Sequence, residues 1–208
     1  MAISLKQNLN LADEKMLAAS QHVLIVLPPK KMEKIPFIDA LNAKLKRTHK
    51  KYEDLSKCPL SVDLPNGAVA SFLVLGNDLT TFKRHTLLRK AAKPLLDEMP
   101  QHLSIVVYGS DKAREQAAKD AVYVTSVNAQ DLPQRKGVKN QEKSRPLKTI
   151  DLFGWNDKSS FADITALVSG NTLTRTLTMT PPNELTPHLY RKQIAKLAKD
   201  EGWKLEEF

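Results

Sequence analysis

The stretch His22–Pro29, HVLIVLPP, indicates the fold class more clearly than any other part of the sequence. It is a short run of leucine and β-branched residues that two prolines end. Runs of this length and composition are typical of strands buried in a sheet. Three further runs predict strands in the same way: Gly67–Gly76, His102–Gly109 and Lys148–Trp155.

Segments with the apolar spacing of a helix separate these strands. After the first strand, four residues share one helical face: Phe37, Ile38, Leu41 and Leu45. The other predicted helices are Thr80–Met99, Asp111–Ala129 and Ser159–Met179. We expect Pro94 to kink or split the first of these, and Ser110 or Asp111, and then Ser160, to cap the next two.

Strands and helices therefore alternate along the chain. Consecutive parallel strands are connected through helices, so this pattern predicts an α/β fold with a mainly parallel central sheet and helices on both faces. Two charged intervals, His49–Lys57 and Arg135–Lys148, are predicted to be loops.

The composition is that of a basic, globular protein. Hydrophobic residues make up 41% of the 208 residues, and the formal charge is 32 − 23 = +9. Such a charge suits an anionic partner, and nucleic-acid phosphates would bind Lys44–Lys51 and Arg135–Lys148. We favour the alternative that these stretches are solvated loops, because only 6% of the residues are aromatic and no basic stripe carries aromatic residues that could stack on bases.

The single cysteine, Cys58, excludes an intrachain disulfide and a cysteine-based zinc site. We interpret it as a passive thiol, since a catalytic thiolate would need a base such as His49. The N-terminal residues lack the apolar core of a signal peptide, and no apolar run approaches the roughly 20 residues of a membrane span. The sequence therefore predicts a soluble, cytoplasmic protein without a membrane partner.

The residues that could carry chemistry form no recognised pattern. The five histidines match no zinc-binding spacing, and no two of the seven glycines are spaced for a nucleotide-binding loop. The turn Tyr108–Asp111 could hold an anion at a helix N-terminus, but a plain turn is favoured. Three acid pairs are expected on the solvated surface: Asp97-Glu98, Glu53-Asp54 and Glu206-Glu207. We predict no catalytic, metal-ligating or cofactor-binding residue in the chain.

The segment near the end of the chain is the most strongly specified part of the sequence. Thr186 and Pro187 have the character of an N-cap and a first helical residue, and Gly202 that of the residue that ends a helix. Between them, four apolar residues recur at helical spacing: Tyr190, Ile194, Leu197 and Ala198. The residues from Trp203 onward begin like a strand.

From Asn171 onward, the sequence resembles the junction segment of the leucyl (cytosol) aminopeptidase family. The family pattern contains an asparagine, Arg-x-Leu, Pro-Pro-Asn, Thr-Pro, and a helix with Leu-Ala and a final glycine. The matching residues are Asn171, Arg175, Leu177, Pro181, Pro182, Asn183, Thr186, Pro187, Leu197, Ala198 and Gly202. Met179-Thr180 departs from the Asn-Thr of many members, and before Asn171 the resemblance is one of topology only.

The resemblance implies a macro-domain-like three-layer fold for residues 1–170. It implies that 171–208 are a linker helix and the start of a catalytic domain that is otherwise absent. The parent protein would remove N-terminal amino acids from peptides, using two divalent metals (Zn or Mn) held in the absent domain. It would form a hexamer.

The function implied for this chain is non-catalytic, in assembly and in access to the active site. Its partners would be its own catalytic domain and, through that domain, the peptide substrate; the 208 residues alone would be inactive. The alternative is a basic α/β module that binds nucleic acid. A macro-like fold would also suggest ADP-ribose binding, but the loop after the first strand, LPPKKMEKIP, has prolines and lysines where close-packed glycines are needed.

Overall fold

The computed structural model describes residues 3–32, 34–76, 78–133 and 145–206; at 158–160 it describes the backbone only. Six strands are present in this part: β1 Ser4–Asn8, β2 His22–Leu27, β3 Leu60–Asp63, β4 Val69–Val74, β5 His102–Val107 and β6 Thr149–Phe153. The α-helices are α1 Ile38–Arg47, α2 Thr81–Leu96, α3 Asp111–Asn128, α4 Lys158–Met179 and α5 Pro187–Glu201.

The strands form one sheet in the order β1-β6-β5-β2-β4-β3. All neighbouring pairs are parallel except β3 and β4, which are antiparallel. The sheet is therefore mainly parallel, as the alternation of strands and helices predicts. The two strands that were not predicted, β1 and β3, lie at the two edges.

Helices cover both faces of the sheet, which confirms the predicted α/β architecture. Successive residues of β2 point to opposite faces, so Leu24 and Val26 join one apolar core and Val23 and Ile25 the other. The first core also contains side chains of α2, α3 and the start of α4. The second contains side chains of α1.

Two local predictions about helices are wrong, and a third is wrong in part. Pro94 does not split its helix, because α2 is one helix from Thr81 to Leu96 and Pro94 lies in its last turn. Phe37 precedes α1 as its N-cap, with φ 60°, and does not belong to the helix. Helix α4 begins at Lys158, two residues before the predicted cap Ser160.

The interval His49–Lys57 is not simply a loop. It contains a short 3₁₀ helix, Tyr52–Ser56, in which Tyr52 and Leu55 are buried. Both side chains belong to the second apolar core, so they attach this otherwise polar segment to the sheet. The second predicted loop, Arg135–Lys148, lies mostly outside the described residues.

The caps of α5 agree with the prediction. The Thr186 hydroxyl accepts a hydrogen bond from the Leu189 amide at 3.4 Å, and Gly202 has φ 69°. The expected strand after the helix is wrong over 203–206, which have no regular structure, and the final two residues lie outside the description.

The chain divides into two compact units. The first consists of Met1–Asp131 and Glu142–Val168, and holds the sheet. The second consists of Leu132–Gln141 and Ser169–Phe208, and holds α5. No helix in the described part of the chain is long and apolar enough to cross a membrane.

Candidate functional site

The described residues contain no group of three or more His, Cys, Asp or Glu side chains that could hold a metal ion. The predicted acid pair Asp97-Glu98 is exposed, and each member pairs with a base: Asp97 with Lys93 at 2.6 Å and Glu98 with His22 at 2.8 Å. Glu53 is exposed, and Asp54 accepts a hydrogen bond from the Lys51 amide. The third pair is only partly described: Glu206 pairs with Lys204, and Glu207 lies outside the described range.

Two of the histidines, His22 and His102, lie near each other at the starts of the neighbouring strands β2 and β5. His22 is buried at the start of β2, whereas His49, His102 and His188 are exposed. His85 lies on α2, where its Nε2 is 3.0 Å from Asp120 Oδ1. Within the described ranges, these positions do not combine into a ligand set.

Cys58 is exposed, and its closest polar contact is with Lys50. The Lys50 Nζ donates a hydrogen bond to Cys58 Sγ at 3.6 Å. A catalytic thiolate would need a base such as His49, but the residue that contacts this thiol is Lys50.

The Arg84–Asp120–His85 cluster links α2 to α3. Arg84 Nε lies 2.5 Å from Asp120 Oδ2, and Arg84 Nη1 donates to the Leu79 carbonyl at 2.7 Å. Asp120 is only 5% exposed, so the two bases compensate a buried carboxylate. Every member has a partner inside the cluster, which indicates a structural role.

A cavity of about 410 Å³ lies at the carboxyl ends of β2, β4 and β5. We call it the carboxyl-end cavity; Pro28, Gly76, Arg84, Tyr108, Ser110 and Lys112 line it. The strand order reverses between β2 and β5, and ligands of open α/β sheets commonly bind at such a position.

Two of the three cations that line the carboxyl-end cavity are already paired with an acid, while the third, Lys112, forms no ion pair with another described residue. Arg84 is paired with Asp120, and Lys119 is paired with Glu115 at 2.6 Å. At the YGSD turn, Gly109 has φ 134°, and a Cβ there would lie 3.2 Å from that of Ala113. The glycine is therefore explained by the close approach of the strand end to α3, in agreement with a plain turn.

Burial changes the acid–base behaviour of two tyrosines near this edge of the sheet. Burial raises the pKa of Tyr108 to about 12. Burial, with a smaller contribution from the charge of Glu53, also raises the pKa of Tyr52 to about 12. The Tyr52 hydroxyl donates a hydrogen bond to the Pro28 carbonyl at 2.8 Å. Both phenols are therefore neutral donors at physiological pH and are unsuited to act as bases.

A second cavity, of about 690 Å³, lies near the amino ends of β2 and β5 and beside β6. We call it the amino-end cavity; its polar side is lined by His22, Glu98, His102, Ser104, Arg145 and Asp151. Ser104 and Asp151 face each other in register on β5 and β6. The Ser104 hydroxyl is 2.8 Å from that of Ser20.

Sequence reasoning missed this second cavity. Its residues come from four separate parts of the chain, so no spacing pattern brings them together. The available signal was a serine inside HLSIVV and an aspartate inside TIDLF, each in the middle of a largely apolar strand. Polar residues at such positions require partners.

Comparison with solved structures relates this geometry to known proteins. A mutant of tomato leucine aminopeptidase superposes with a TM-score of 0.69 and 15% identity, covering 95% of this chain and 42% of that one. The fold is one that leucine aminopeptidases contain. No protein-family model matches the sequence, and no curated protein matches it.

Two other structures show the same relation. The bottromycin maturation enzyme BotP, in complex with Mn, has a TM-score of 0.65 and 14% identity, with 88% of this chain and 37% of that one covered. Leucyl aminopeptidase from Trypanosoma cruzi has a TM-score of 0.63 and 14% identity, with coverages of 97% and 42%. The chain thus spans less than half the length of the structures it resembles.

Proposed function

We propose that this chain is the non-catalytic N-terminal domain of a metal-dependent leucyl-type aminopeptidase. The observation that carries the proposal is the fold match, which covers 95% of this chain but 42% of the tomato enzyme. The junction-like residues after Asn171 add an independent similarity in sequence. The parent protein removes N-terminal amino acids from peptides in the cytoplasm.

The chemistry belongs to a catalytic domain outside these 208 residues. That domain holds two divalent metal ions, Zn²⁺ or Mn²⁺, which activate a water molecule and stabilise the tetrahedral intermediate. This chain contributes to assembly of a hexamer and to access to the active site.

The proposed organisation has a macro-like domain at 1–170 and a linker at 171–208. The first compact unit ends at Val168 and the second continues from Ser169, which supports this boundary. Helix α5 supports a docking role for the linker, because Tyr190 and Ile194 of its apolar stripe are 41% and 37% exposed. We assign this surface to contact with the chain's own catalytic domain.

Activity measurements test the proposal. The purified 208-residue protein is expected not to hydrolyse leucine p-nitroanilide with Mn²⁺ or Zn²⁺ present. The product of the whole gene, assayed in parallel, is expected to be active and to lose activity with a chelator. Metal-dependent turnover by the 208 residues, or a whole-gene product without peptidase activity, would contradict the proposal.

A second candidate function is nucleic-acid binding by the end of α1. Its last turn carries Lys44, Lys46 and Arg47, and none of them forms an ion pair with another described residue. Titration with duplex DNA at two salt concentrations tests this, since affinity should fall steeply with salt. K46A and R47A should weaken binding, while R89A, at an exposed position of α2, should not. Equal effects of all three variants would mean that DNA is attracted by the overall positive charge and not by the end of α1.

A further inference from the structure

The amino-end cavity contains a carboxylate with one oxygen that accepts no hydrogen bond. Asp151 Oδ1 is shielded from solvent and has no hydrogen-bond partner among the described residues. Its neighbour across the strands, Ser104, is 3% exposed and is already bonded to Ser20. A shielded carboxylate oxygen without a donor is unfavourable, so the Asp151 carboxylate gains when it turns towards a ligand that brings one.

The same cavity contains an unpaired positive charge. Arg145 lines it, and the structure shows no ion pair or hydrogen bond from its guanidinium to another described residue. The other nearby acid, Glu98, does not neutralise Arg145, because it pairs with His22 at 2.8 Å. The cavity therefore offers, among the described residues, a free acceptor and a free cation.

The remaining wall of the cavity is apolar. Met16, Ala19, Met99, Pro100 and Phe153 contribute to it. Methionine side chains adapt readily to the shape of an apolar ligand group. Met99 has φ 52°, a conformation that glycine adopts more easily, and here it places a flexible apolar side chain beside the cavity.

Three simpler occupants fit these observations less well. A metal ion lacks the ligands, because no described cluster of three suitable side chains exists. A simple anion would satisfy Arg145 and leave Asp151 without a donor. A simple amine would satisfy Asp151 but would make no use of Arg145. A molecule with both charges satisfies both residues, and a volume of about 690 Å³ is within the range of small-molecule sites.

We propose that the amino-end cavity binds a small zwitterion with an apolar side chain, such as a free apolar amino acid or a short apolar peptide. The ammonium group donates to Asp151, the carboxylate accepts from Arg145, and the side chain packs against the methionines and Phe153. This inference rests on the cavity alone and does not depend on the proposed aminopeptidase relationship.

Titration calorimetry and amide NMR of the 208-residue protein test the inference. L-leucine or L-leucyl-L-leucine should bind saturably with a Kd below about 1 mM. Isoamylamine lacks the carboxylate and 4-methylpentanoate lacks the ammonium, so each should bind about tenfold more weakly or worse. Absence of binding by both zwitterions at about 10 mM, or equal binding of the single-charge analogues, would overturn it.

Matched variants identify the site. D151N and R145A should each weaken binding about tenfold or more, because each removes a charge-assisted hydrogen bond. D63N and R89A make the same kinds of change at exposed positions of β3 and α2 and should leave the Kd unchanged. Arg145 is exposed, so R145A preserves the fold even if D151N does not. Unchanged affinity in R145A would refute the assignment.

Discussion

At the scale of single residues, burial decides how Tyr52 and Tyr108 behave. They are 6% and 3% exposed, and the pKa of each is raised to about 12 by burial. An exposed tyrosine ionises near pH 10. Their polar atoms therefore remain uncharged over the whole range in which the protein would work.

The raised pKa values predict a loss of stability at high pH. A group whose pKa is higher in the folded state than in the unfolded state stabilises the fold fully at any pH below its unfolded pKa. That stabilisation is lost as the pH rises from the unfolded pKa to the folded pKa. For these two tyrosines, that window runs from about pH 10 to about pH 12. Absorbance at the phenolate band should show two of the four tyrosines ionising near the top of this window.

Phenylalanine variants separate the two tyrosines. Y52F and Y108F should each remove one late step from the titration. Y52F should also cost about 1 kcal/mol of unfolding free energy, because it removes the hydrogen bond to the Pro28 carbonyl. Ionisation of Tyr52 and Tyr108 near pH 10 in the folded protein would contradict the burial of these two residues.

At the scale of elements, Asp120 couples α2 to α3. Removing the carboxylate leaves Arg84 and His85 without their shared partner in a largely buried place. D120A should therefore lower the unfolding free energy by about 3 kcal/mol, as measured by urea denaturation. The exposed pair Lys93–Asp97 provides the control, and D97A should cost less than about 1 kcal/mol. Similar costs for both variants would mean that the cluster does not act as a buried link.

The N-cap of α5 gives a second prediction at this scale. T186A removes the acceptor for the Leu189 amide and should destabilise the helix by about 1 kcal/mol. Hydrogen exchange of the α5 amides measures this directly. T80A is the control: it removes an N-cap hydrogen bond of the same length, 3.4 Å, from α2 and should leave hydrogen exchange in α5 unchanged. If T186A leaves α5 exchange unaltered, the cap contributes nothing.

The elements that sequence reasoning missed have a common physical cause. β1, SLKQN, and β3, LSVD, lie at the edges of the sheet, where each pairs on one side only. An edge strand is less buried than a central one, so it does not need a continuous apolar run. Such runs are what identified β2, β4 and β5 in the sequence. Their strand conformation comes from pairing with β6 and β4.

At the scale of the whole molecule, the two compact units predict where the chain can be shortened. Phe161 and Ile164 at the start of α4 are 4% and 7% exposed and belong to the core of the sheet. A chain ended at residue 170 should still unfold cooperatively. A chain ended at residue 157 should lose roughly 3–5 kcal/mol or fail to fold, since a buried phenylalanine alone contributes about that much.

Thermal melts followed by circular dichroism compare the two shortened proteins with the 208-residue chain. F161A in the whole chain is the control for the contribution of that one side chain. A protein ended at residue 170 that melts without a cooperative transition would contradict the proposed boundary between 1–170 and 171–208.

The sequence by itself determined the class of fold, the central strands and the caps of α5. These depend on local composition: buried strands need uninterrupted apolar residues, and helix ends need particular side chains at particular positions. Only the tertiary structure decided the edge strands, the buried Arg84–Asp120–His85 cluster and the amino-end cavity. Each of these brings together residues that are distant in the chain. Contacts between such residues produce no periodic pattern in the sequence, so they cannot be predicted from it.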